Sequence, residues 1–296
     1  MDSHRIQPPL FGLAVLSGCG IPTPTPSRTA LAPQPSSPSR HRVSKRPTAP
    51  ALLLEPGAGV TPWISLIDRA HTGIDLNAYL IDNPALLAAL GQAGQRGVPI
   101  HVLLAPNPCD DTAVVPTERQ ELAAIPDITV RNAPARFDQA YAFDHAKYLV
   151  VNPGTAQVTA TIGSPNFTDS AVDGTNLEAA VSVTGTPAQA AAQVFQADWT
   201  GRAAGFTPRG QLVLSPGATA TWLRLLRSAG PIDMTTEEIG DDPTILTAMA
   251  AAKGSDLHLL CVLSYFSNHA SQDKSGCRDS IIWIKLVQEI MVGICA

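Results

Sequence analysis

The chain has 296 residues, of which 45 % are hydrophobic and 15 % are charged, and its formal net charge is −5. This composition allows one large domain or two of ordinary size and excludes a wholly disordered chain. Residues 1–50 hold six Lys/Arg and one acidic residue, whereas residues 51–296 hold 14 Lys/Arg and 24 acidic residues, so the globular part lacks the basic surface that broad binding of nucleic acid requires.

The first 19 residues have the pattern of an export signal. Met1–Pro9 contains Arg5, Leu10–Leu16 is apolar, and small residues follow, which is typical of a secretory signal. Leu16–Cys19 (LSGC) resembles the bacterial lipobox, in which the cysteine is acylated and becomes the first residue after cleavage. We therefore predict an exported protein of the cell envelope, anchored to a membrane through Cys19. A short buried helix that ends in cysteine is the alternative.

A segment rich in Pro, Ser and Thr follows, Gly20–Pro50, and its composition predicts an extended tether. It contains the basic residues Arg40, Arg42, Lys45 and Arg46. Such a cluster suits anionic lipid headgroups, but it is also common in a simple solvated linker.

Four cysteines follow the lipobox, namely Cys109, Cys261, Cys277 and Cys295. Export permits disulfides among them, although their pairing does not follow from the sequence. They form no CxxC motif, so a zinc site has little support.

Two segments of the globular part, residues 53–104 and 213–260, repeat the same pattern at a nearly constant offset. The repeated positions pair as Pro56-Gly57 with Pro216-Gly217, Trp63 with Trp222, Ile74-Asp75 with Ile232-Asp233, Pro84 with Pro243, and His101 with His258. We therefore predict two copies of one supersecondary unit, with the repeated Trp and His as packing residues.

Each copy predicts the same order of elements, in which strands alternate with helices. In the first copy these are a short strand with a Pro-Gly turn, a helix through Trp63, a strand at 74–80, a helix at 83–95 and a buried strand at 98–104. Asn83 is the predicted N-cap of the second helix, and Gly97 is its predicted end. This alternation predicts a sheet covered by helices.

The most informative residues lie between the two copies. Strand alternation places His145 and Lys147 on one face of a strand that continues into the apolar run Leu149–Val151. We therefore expect their imidazole and ammonium groups to converge on one point. A simple solvated lysine is the alternative for Lys147.

A second predicted strand, 157–162, ends at Gly163-Ser164-Pro165-Asn166, and Asn176-Leu177-Glu178 precedes an apolar strand at 179–183. Gly, Ser and Asn at the end of a strand can bring hydrogen-bond donors close to an anion. The sequence therefore places small and polar groups near the expected imidazole and ammonium.

Together these segments resemble the phospholipase D superfamily, whose signature is His-x-Lys, four residues, Asp, then Gly-Ser/Gly-x-Asn, and later Asn-x-Glu. The resemblance covers roughly residues 51–260. It implies an α/β fold: a phospholipase D-like sandwich of mixed β-sheet flanked by helices, internally duplicated, here with an incomplete second copy. The chain departs from the signature at Asn152, where the family has a structural Asp, which puts the local rigidity in doubt.

The resemblance implies attack on a phosphodiester without a metal or other cofactor. His145 would attack phosphorus and form a phosphohistidine, while Lys147 would supply the cation. Ser164 and Asn166 would donate to the nonbridging oxygens, and Glu178 would orient an imidazole. A second imidazole must protonate the leaving oxygen as general acid.

That second imidazole is missing from its expected place. Two-copy members supply it from the second half, and the offset of the repeat would place it beyond Ala296. We therefore predict a frameshift or truncation and five regions: a signal (1–19), a linker (20–50), a first half with the HxK motif (51–208), a partial second half (209–260) and a divergent tail (261–296). A divergent helix that packs normally is the alternative for the tail.

Three functions are compatible with this sequence. The first is an exported, lipid-anchored phosphodiesterase that hydrolyses or transfers a phosphodiester, with a phospholipid favoured over nucleic acid because the globular part is acidic. The second is a single-motif nuclease whose homodimer supplies the second histidine, and the third is a decayed, non-catalytic envelope lipoprotein. In each case we expect loops 107–117 and 134–144 to line the pocket.

Overall fold

The computed structural model describes residues 50–108, 111–139, 142–227, 232–236, 243–252 and 257–261. The predicted signal, Cys19, almost all of the linker and the tail after residue 261 lie outside these ranges, as do Cys109, Cys277 and Cys295. Among the described helices, none combines the length and the apolar character needed to cross a membrane.

Strands and helices alternate through most of the chain, as the sequence pattern predicts. The strands are β1 (Ala51–Glu55), β2 (Ile74–Ala78), β3 (Ile100–Leu104), β4 (Ile128–Asn132), β5 (Asp138–Gln139), β6 (Ala142–Phe143), β7 (Lys147–Val151), β8 (Thr159–Gly163), β9 (Glu178–Thr184), β10 (Ile232–Thr236) and β11 (Leu257–Cys261). The helices are α1 (Thr61–Asp68), α2 (Pro84–Gln95), α3 (Val115–Ala123), α4 (Asp169–Val172), α5 (Thr186–Trp199), α6 (Phe206–Gln211), α7 (Thr219–Leu226) and α8 (Pro243–Ala252).

Seven strands form one mixed sheet in the order β1-β9-β8-β7-β2-β3-β4. Strands β2, β3 and β4 are parallel, whereas β7, β8, β9 and β1 pair antiparallel in succession. The carboxyl ends of β1, β2 and β8 therefore meet the amino ends of β7 and β9 at one rim of the sheet. We call this rim the site edge, and it contains Glu55, Ala78, Lys147, Gly163 and Glu178.

Helices cover both faces of the sheet. On one face, α1 and α2 pack against β2, β3 and β7 in a large core built around Trp63, Leu90 and Leu149. On the other face, α5 packs Phe195 against Tyr148 and Val150 of β7. Strand β7 lies between two apolar layers, which is why its last three residues form an uninterrupted hydrophobic run.

Two predicted strands are shorter than the sequence pattern indicated. Strand β2 ends at Ala78 instead of residue 80, because the chain turns toward the β8–β9 loop, where Phe167 N donates to Leu80 O at 3.0 Å. Strand β3 begins at Ile100 instead of residue 98. Pro99 has no N–H to donate to a neighbouring strand, and its carbonyl accepts from Ile74 N at 3.0 Å.

Helix α2 begins and ends as the sequence predicted. The Asn83 side chain accepts a hydrogen bond from Leu86 N at 2.9 Å, and Pro84 occupies the first turn. Gly97 has a φ of +75°, the left-handed conformation that glycine adopts readily after a helix. Asn83 Nδ2 also donates to Asp169 Oδ1, in the first turn of α4, so this side chain links the start of α2 to the start of α4.

Replacing Asn83 by alanine should lower the free energy of unfolding by about 1–2 kcal/mol, because Leu86 N then loses its buried acceptor. Denaturant unfolding of the purified variant measures this difference. Gln92→Ala on the exposed side of the same helix is the matched control and should change stability little. Equal stability of Asn83→Ala and the wild type would contradict the capping role.

Residues 213–261 show four of the five elements predicted for a second copy. Helix α7, β10, α8 and β11 follow in the predicted order, and β10 pairs in parallel with β11. The predicted first strand is wrong, because residues 213–218 form no strand at the Pro216-Gly217 turn. Asp233 lies opposite His258, as Asp75 lies opposite His101 in the first copy. This order is what a duplication predicts, and the duplication itself stays a prediction.

The prediction that both repeated tryptophans are packing residues is wrong for the second one. Trp63 is 1 % exposed and lies against Phe167, with ring centroids 5.4 Å apart. Trp222, by contrast, is 49 % exposed. Among the described residues, β10 and β11 form a sheet of only two strands, which offers far less surface to cover an indole than the seven-stranded sheet does.

Candidate active site

The sheet register brings the predicted site segments to the same rim. Lys147 lies directly opposite Gly163 across β7 and β8, and Gly163 lies opposite Ala180 across β8 and β9. Opposite residues in an antiparallel pair have Cα atoms about 4.5–5.5 Å apart. Ser164 and Glu178 therefore lie close to the start of β7, which begins two residues after His145.

Lys147 is buried at the site edge instead of being a solvated lysine. Only 6 % of it is exposed, its Nζ donates to His145 O at 2.8 Å, and the ammonium lies 4.7 Å from the ring centroid of Tyr79. These contacts hold a positive charge beside the backbone of the predicted nucleophile. The sequence analysis did not indicate Tyr79, which directly follows the buried strand β2.

The prediction that His145 belongs to the strand is wrong, because β7 begins at Lys147. His145 lies in the preceding turn, where its ring contacts Tyr79 and Phe143 with centroid distances of 4.5 Å and 5.7 Å. The backbone of Ala146 is tied instead to the Asp144 side chain, since Ala146 N donates to Asp144 Oδ1 at 3.1 Å. The aromatic contacts, and not strand alternation, orient the imidazole.

His145 is held in its neutral form. Its side chain reaches solvent on one side, yet desolvation by the surrounding protein lowers its pKa, and the positive charge of Lys147 lowers it further, to about 4. The neutral ring has a free nitrogen lone pair at pH 7. This is the state that a nucleophile toward phosphorus requires.

Asp144 is a site-edge residue that the sequence analysis missed. It is 8 % exposed and accepts hydrogen bonds from Asn77 Nδ2 and Ala146 N, both at 3.1 Å. Burial raises its pKa, which these two hydrogen bonds and the charges of Lys147 and Arg136 oppose. The sequence did contain a signal: Asn77 interrupts the apolar strand β2, and a buried amide needs a polar partner.

Glu178 lies at the site edge and binds two polar side chains. Ser164 Oγ donates to Glu178 Oε2, and Asn176 Nδ2 lies 3.5 Å from Glu178 Oε1. Among the described residues, its hydrogen-bond partners are therefore a serine and an amide, and no imidazole orients against it. Glu178 fixes the Ser164 hydroxyl, whose oxygen also accepts from Ala179 N at 3.1 Å.

The Asn166 side chain has one polar atom without a partner. It is half-buried, and its Oδ1 atom is enclosed without a hydrogen-bond partner among the described residues. Buried polar groups are rarely left in this state in a structural role. Because Oδ1 is an acceptor, the partner that it lacks is a hydrogen-bond donor, and the contact of Asn166 with a substrate oxygen stays a prediction.

Asn152 is buried and makes three hydrogen bonds to backbone groups. Its Oδ1 accepts from His71 N at 2.8 Å and Thr72 N at 3.1 Å, and its Nδ2 donates to Arg69 O at 3.1 Å. An aspartate could not make the third of these bonds, because a carboxylate only accepts. The doubt about local rigidity at this position is therefore removed.

Gly163 is required by close packing at the site edge. A Cβ on this residue would lie 2.5 Å from Ala179 O and 2.6 Å from Ala180 Cα, so the backbone of β8 or β9 would have to move. Gly163→Ala should therefore displace Ser164 and lower kcat, with a stability loss of roughly 1–3 kcal/mol. Gly205→Ala, where a Cβ meets nothing within 4 Å, is the control, and equal activity of the two variants would contradict this role.

The predicted pocket loop 134–144 is folded against the site. It contains a 3₁₀ turn at Ala135–Phe137 and the small β5–β6 hairpin, and Asp144 N donates to Phe137 O at 3.0 Å. The neighbouring loop 107–117 contacts it where Asn107 Nδ2 donates to Asp138 Oδ1 at 2.6 Å. Both loops therefore lie beside the segment that carries His145.

His101 is a half-buried residue on the other side of the sheet from the α1–α2 core, and it agrees with the predicted packing role. Its Nδ1 lies 3.1 Å from Asp75 Oδ1, and its ring contacts Trp199 with centroids 4.9 Å apart. Burial raises the pKa of Asp75, and the His101 contact opposes this. The side chain of His258 is outside the described residues.

The segments that form this site match a known protein family. The family described as cardiolipin synthase, PLD-like domain, matches residues 63–199, which include every predicted catalytic residue. No significant match exists among curated protein sequences.

Solved structures give matches of low sequence identity. The phospholipase D family member Nuc from Salmonella typhimurium is 24 % identical, with 51 % of this chain and 95 % of that chain covered and a TM-score of 0.41. NucT from Helicobacter pylori is 14 % identical, with 53 % of this chain and 99 % of that chain covered and a TM-score of 0.43. The polyphosphate kinase from Porphyromonas gingivalis is 13 % identical, with 72 % of this chain and 34 % of that chain covered; its TM-score of 0.50 shows a likeness of fold.

Proposed function

The chain belongs to the phospholipase D superfamily through residues 63–199, and we propose that it is a phosphodiesterase that works through a phosphohistidine on His145. The observation that carries this proposal is the neutral His145 ring beside the buried ammonium of Lys147. A phosphodiester is an anion, so it needs a fixed cation and an uncharged nucleophile at the same point. The contacts around Lys147 and His145 support both requirements.

The reaction has two displacements at phosphorus. In the first, a nitrogen lone pair of His145 forms a P–N bond while the P–O bond to the leaving group breaks, and the leaving oxygen takes a proton from a general acid. In the second, water or an alcohol attacks phosphorus, the P–N bond breaks and the attacking oxygen loses its proton. Lys147 balances the charge of the phosphoryl oxygens, and Asn166 donates to one of them through Nδ2.

We favour a phospholipid as the natural substrate. The acidic balance of residues 51–296 disfavours a polyanion, and the proposed lipid anchor at Cys19 would keep the site near a bilayer. Incorporation of radioactive palmitate in a bacterial host tests the anchor, and Cys19→Ser should abolish it. Labelling that survives in Cys19→Ser would contradict lipidation at this residue.

The intermediate itself tests the mechanism. Bis(p-nitrophenyl) phosphate has a leaving group that departs without strong protonation, so it can report the first displacement even when the general acid is missing. Rapid alkaline quenching followed by peptide mass analysis should find a nitrophenyl phosphoryl group on the peptide that contains His145. An adduct on another residue, or turnover without an adduct under burst conditions, would contradict the phosphohistidine.

A homodimeric nuclease is the second candidate, and one surface favours it. Strand β1 is an edge strand, and Leu52 (62 % exposed), Leu54 (53 %) and Val181 (37 %) form an apolar strip on one side of β1 and β9. A second copy packed there could bring a second His145 toward the site edge. Sedimentation equilibrium, with Leu52→Ser as the disrupting variant, measures the association.

Substrate choice separates the two candidates. We expect phosphatidylcholine vesicles to be hydrolysed and single-stranded DNA to be left intact. Cleavage of the DNA, together with loss of activity in Leu52→Ser, would favour the homodimeric nuclease. Absence of turnover on phosphatidylcholine, single-stranded DNA and bis(p-nitrophenyl) phosphate would favour a non-catalytic envelope protein.

A further inference from the structure

A charged pair outside the family motif ties the pocket loop to α5. Arg136, in the 3₁₀ turn of loop 134–144, donates through Nη2 to Asp198 Oδ1 near the end of α5 and to Arg202 O at 2.7 Å. Its guanidinium lies 4.6 Å from the ring centroid of Phe137. Arg136 is therefore fixed by a carboxylate, a carbonyl and an aromatic ring at once.

This pair is connected to the nucleophile by a short run of backbone and side-chain contacts. Phe137 O accepts from Asp144 N at 3.0 Å. The Asp144 side chain in turn accepts from Asn77 of β2 and from the N–H of Ala146, the residue after His145. The hairpin between these points places Phe143 against the His145 ring. Movement of Arg136 would therefore be transmitted to the turn that carries the imidazole.

From these contacts we propose that Asp198 is a positioning residue, which acts through Arg136 to hold the His145 turn in the geometry for attack. This inference rests on the proposed function, because it assigns a role in the same reaction. Neither residue belongs to the His-x-Lys, Gly-Ser-x-Asn or Asn-x-Glu segments, and they are far apart in the sequence.

The surroundings of Asp198 make the pair sensitive to pH. Arg136 from the pocket loop faces it, as do Asp144 before β7 and the Tyr148 hydroxyl on β7. Burial raises the pKa of Asp198 to about 6; Arg136 opposes this shift and the negative charge of Asp144 adds to it. Protonation of Asp198 removes the negative charge that pairs with Arg136, while the contacts with Arg202 O and the Phe137 ring and the attraction to Asp144 remain.

The direction of the stability effect separates positioning from unfolding. Because the folded pKa of Asp198 lies above the value in an unfolded chain, lowering the pH through 6 stabilises the folded state through this group. A fall in activity near pH 6 that depends on Asp198 therefore does not arise from unfolding at this residue. His145 itself titrates lower, near 4, so the two steps can be resolved.

The experiment compares Asp198→Asn, an isosteric change that removes the charge, with Asp68→Asn on the exposed side of α1. On bis(p-nitrophenyl) phosphate at pH 7.5, Asp198→Asn should lower kcat about 10- to 100-fold with KM nearly unchanged. It should also remove the step near pH 6 from the pH–rate profile and leave the step near pH 4. Asp68→Asn should match the wild type in all respects, and an Asp198→Asn variant with wild-type kcat and profile would overturn the proposal.

A second measurement does not need catalysis. In the wild type, the NMR resonance of the His145 ring, assigned with His145→Gln, should show a small inflection near pH 6 before its own titration near pH 4. Asp198→Asn should lack the first inflection. If the wild type proves inactive, the proposed function fails, and this titration alone decides the positioning role: identical curves in both proteins would overturn it.

Discussion

Replacing His145 by alanine is expected to abolish hydrolysis of bis(p-nitrophenyl) phosphate, with kcat falling roughly 10⁴-fold or more. The variant loses the atom that would form the P–N bond, and no other histidine shares the pocket formed by Tyr79, Phe143 and Lys147 among the described residues. The fold should remain intact, because the ring reaches solvent and the Ala146 and Asp144 contacts involve other atoms.

His71→Ala is the matched control for this prediction. His71 is an exposed histidine, and its contact with Asn152 is made by the backbone N–H, which alanine retains. We expect wild-type kcat for this variant and an unchanged melting temperature for both. Activity that persists in His145→Ala would contradict the proposed mechanism, whatever the substrate.

Replacing Lys147 by methionine is expected to lower kcat about 10²- to 10³-fold. Methionine fills much of the same buried space but removes the ammonium, so the phosphoryl oxygens would meet an apolar side chain. The backbone carbonyl of His145 also loses its 2.8 Å donor. Stopped assays across substrate concentration separate this loss of kcat from a change in KM.

The same variant should raise the pKa of His145 from about 4 toward its ordinary value. The Lys147 charge is the second cause of the lowered pKa, and desolvation, the larger cause, remains. The pKa should therefore rise but stay below that of a free imidazole. NMR titration measures it; Lys147→Arg, which keeps the charge, should leave it low, and an unchanged pKa in Lys147→Met would contradict the coupling of the two groups.

In the wild type, the low pKa of His145 predicts that protonation of this ring lowers activity only near pH 4, below the step near pH 6 that we assign to Asp198. The ring itself is neutral above pH 4. Because the folded pKa lies below that of an unfolded chain, protonation of His145 also works against folding as the pH falls from about 6.5 toward 4. A free, unshifted histidine would lose activity at a higher pH.

The sequence pattern indicates candidate site residues but not their contacts. Four candidates were recognisable because the motifs are short and ordered, namely His145, Lys147, Ser164 and Asn166. The bond between Ser164 and Glu178 was not, because it depends on how β8 and β9 pair, and a register cannot be read from either strand alone.

Long-range polar contacts were outside the reach of the sequence pattern. Arg136 and Asp198 lie 62 positions apart and belong to a loop and a helix, so no periodicity links them. For Trp222 the pattern predicted a contact that the structure does not have. Its place in the repeat predicted burial, but burial depends on neighbouring strands, and those strands are not part of the repeated pattern.

The direction of β1 sets where the chain enters the large sheet. Ala51 begins this strand and Glu55 ends it at the site edge, so the two residues are separated by the strand's length, about 13 Å. The described part of the chain therefore enters the sheet at the rim opposite the His145 pocket.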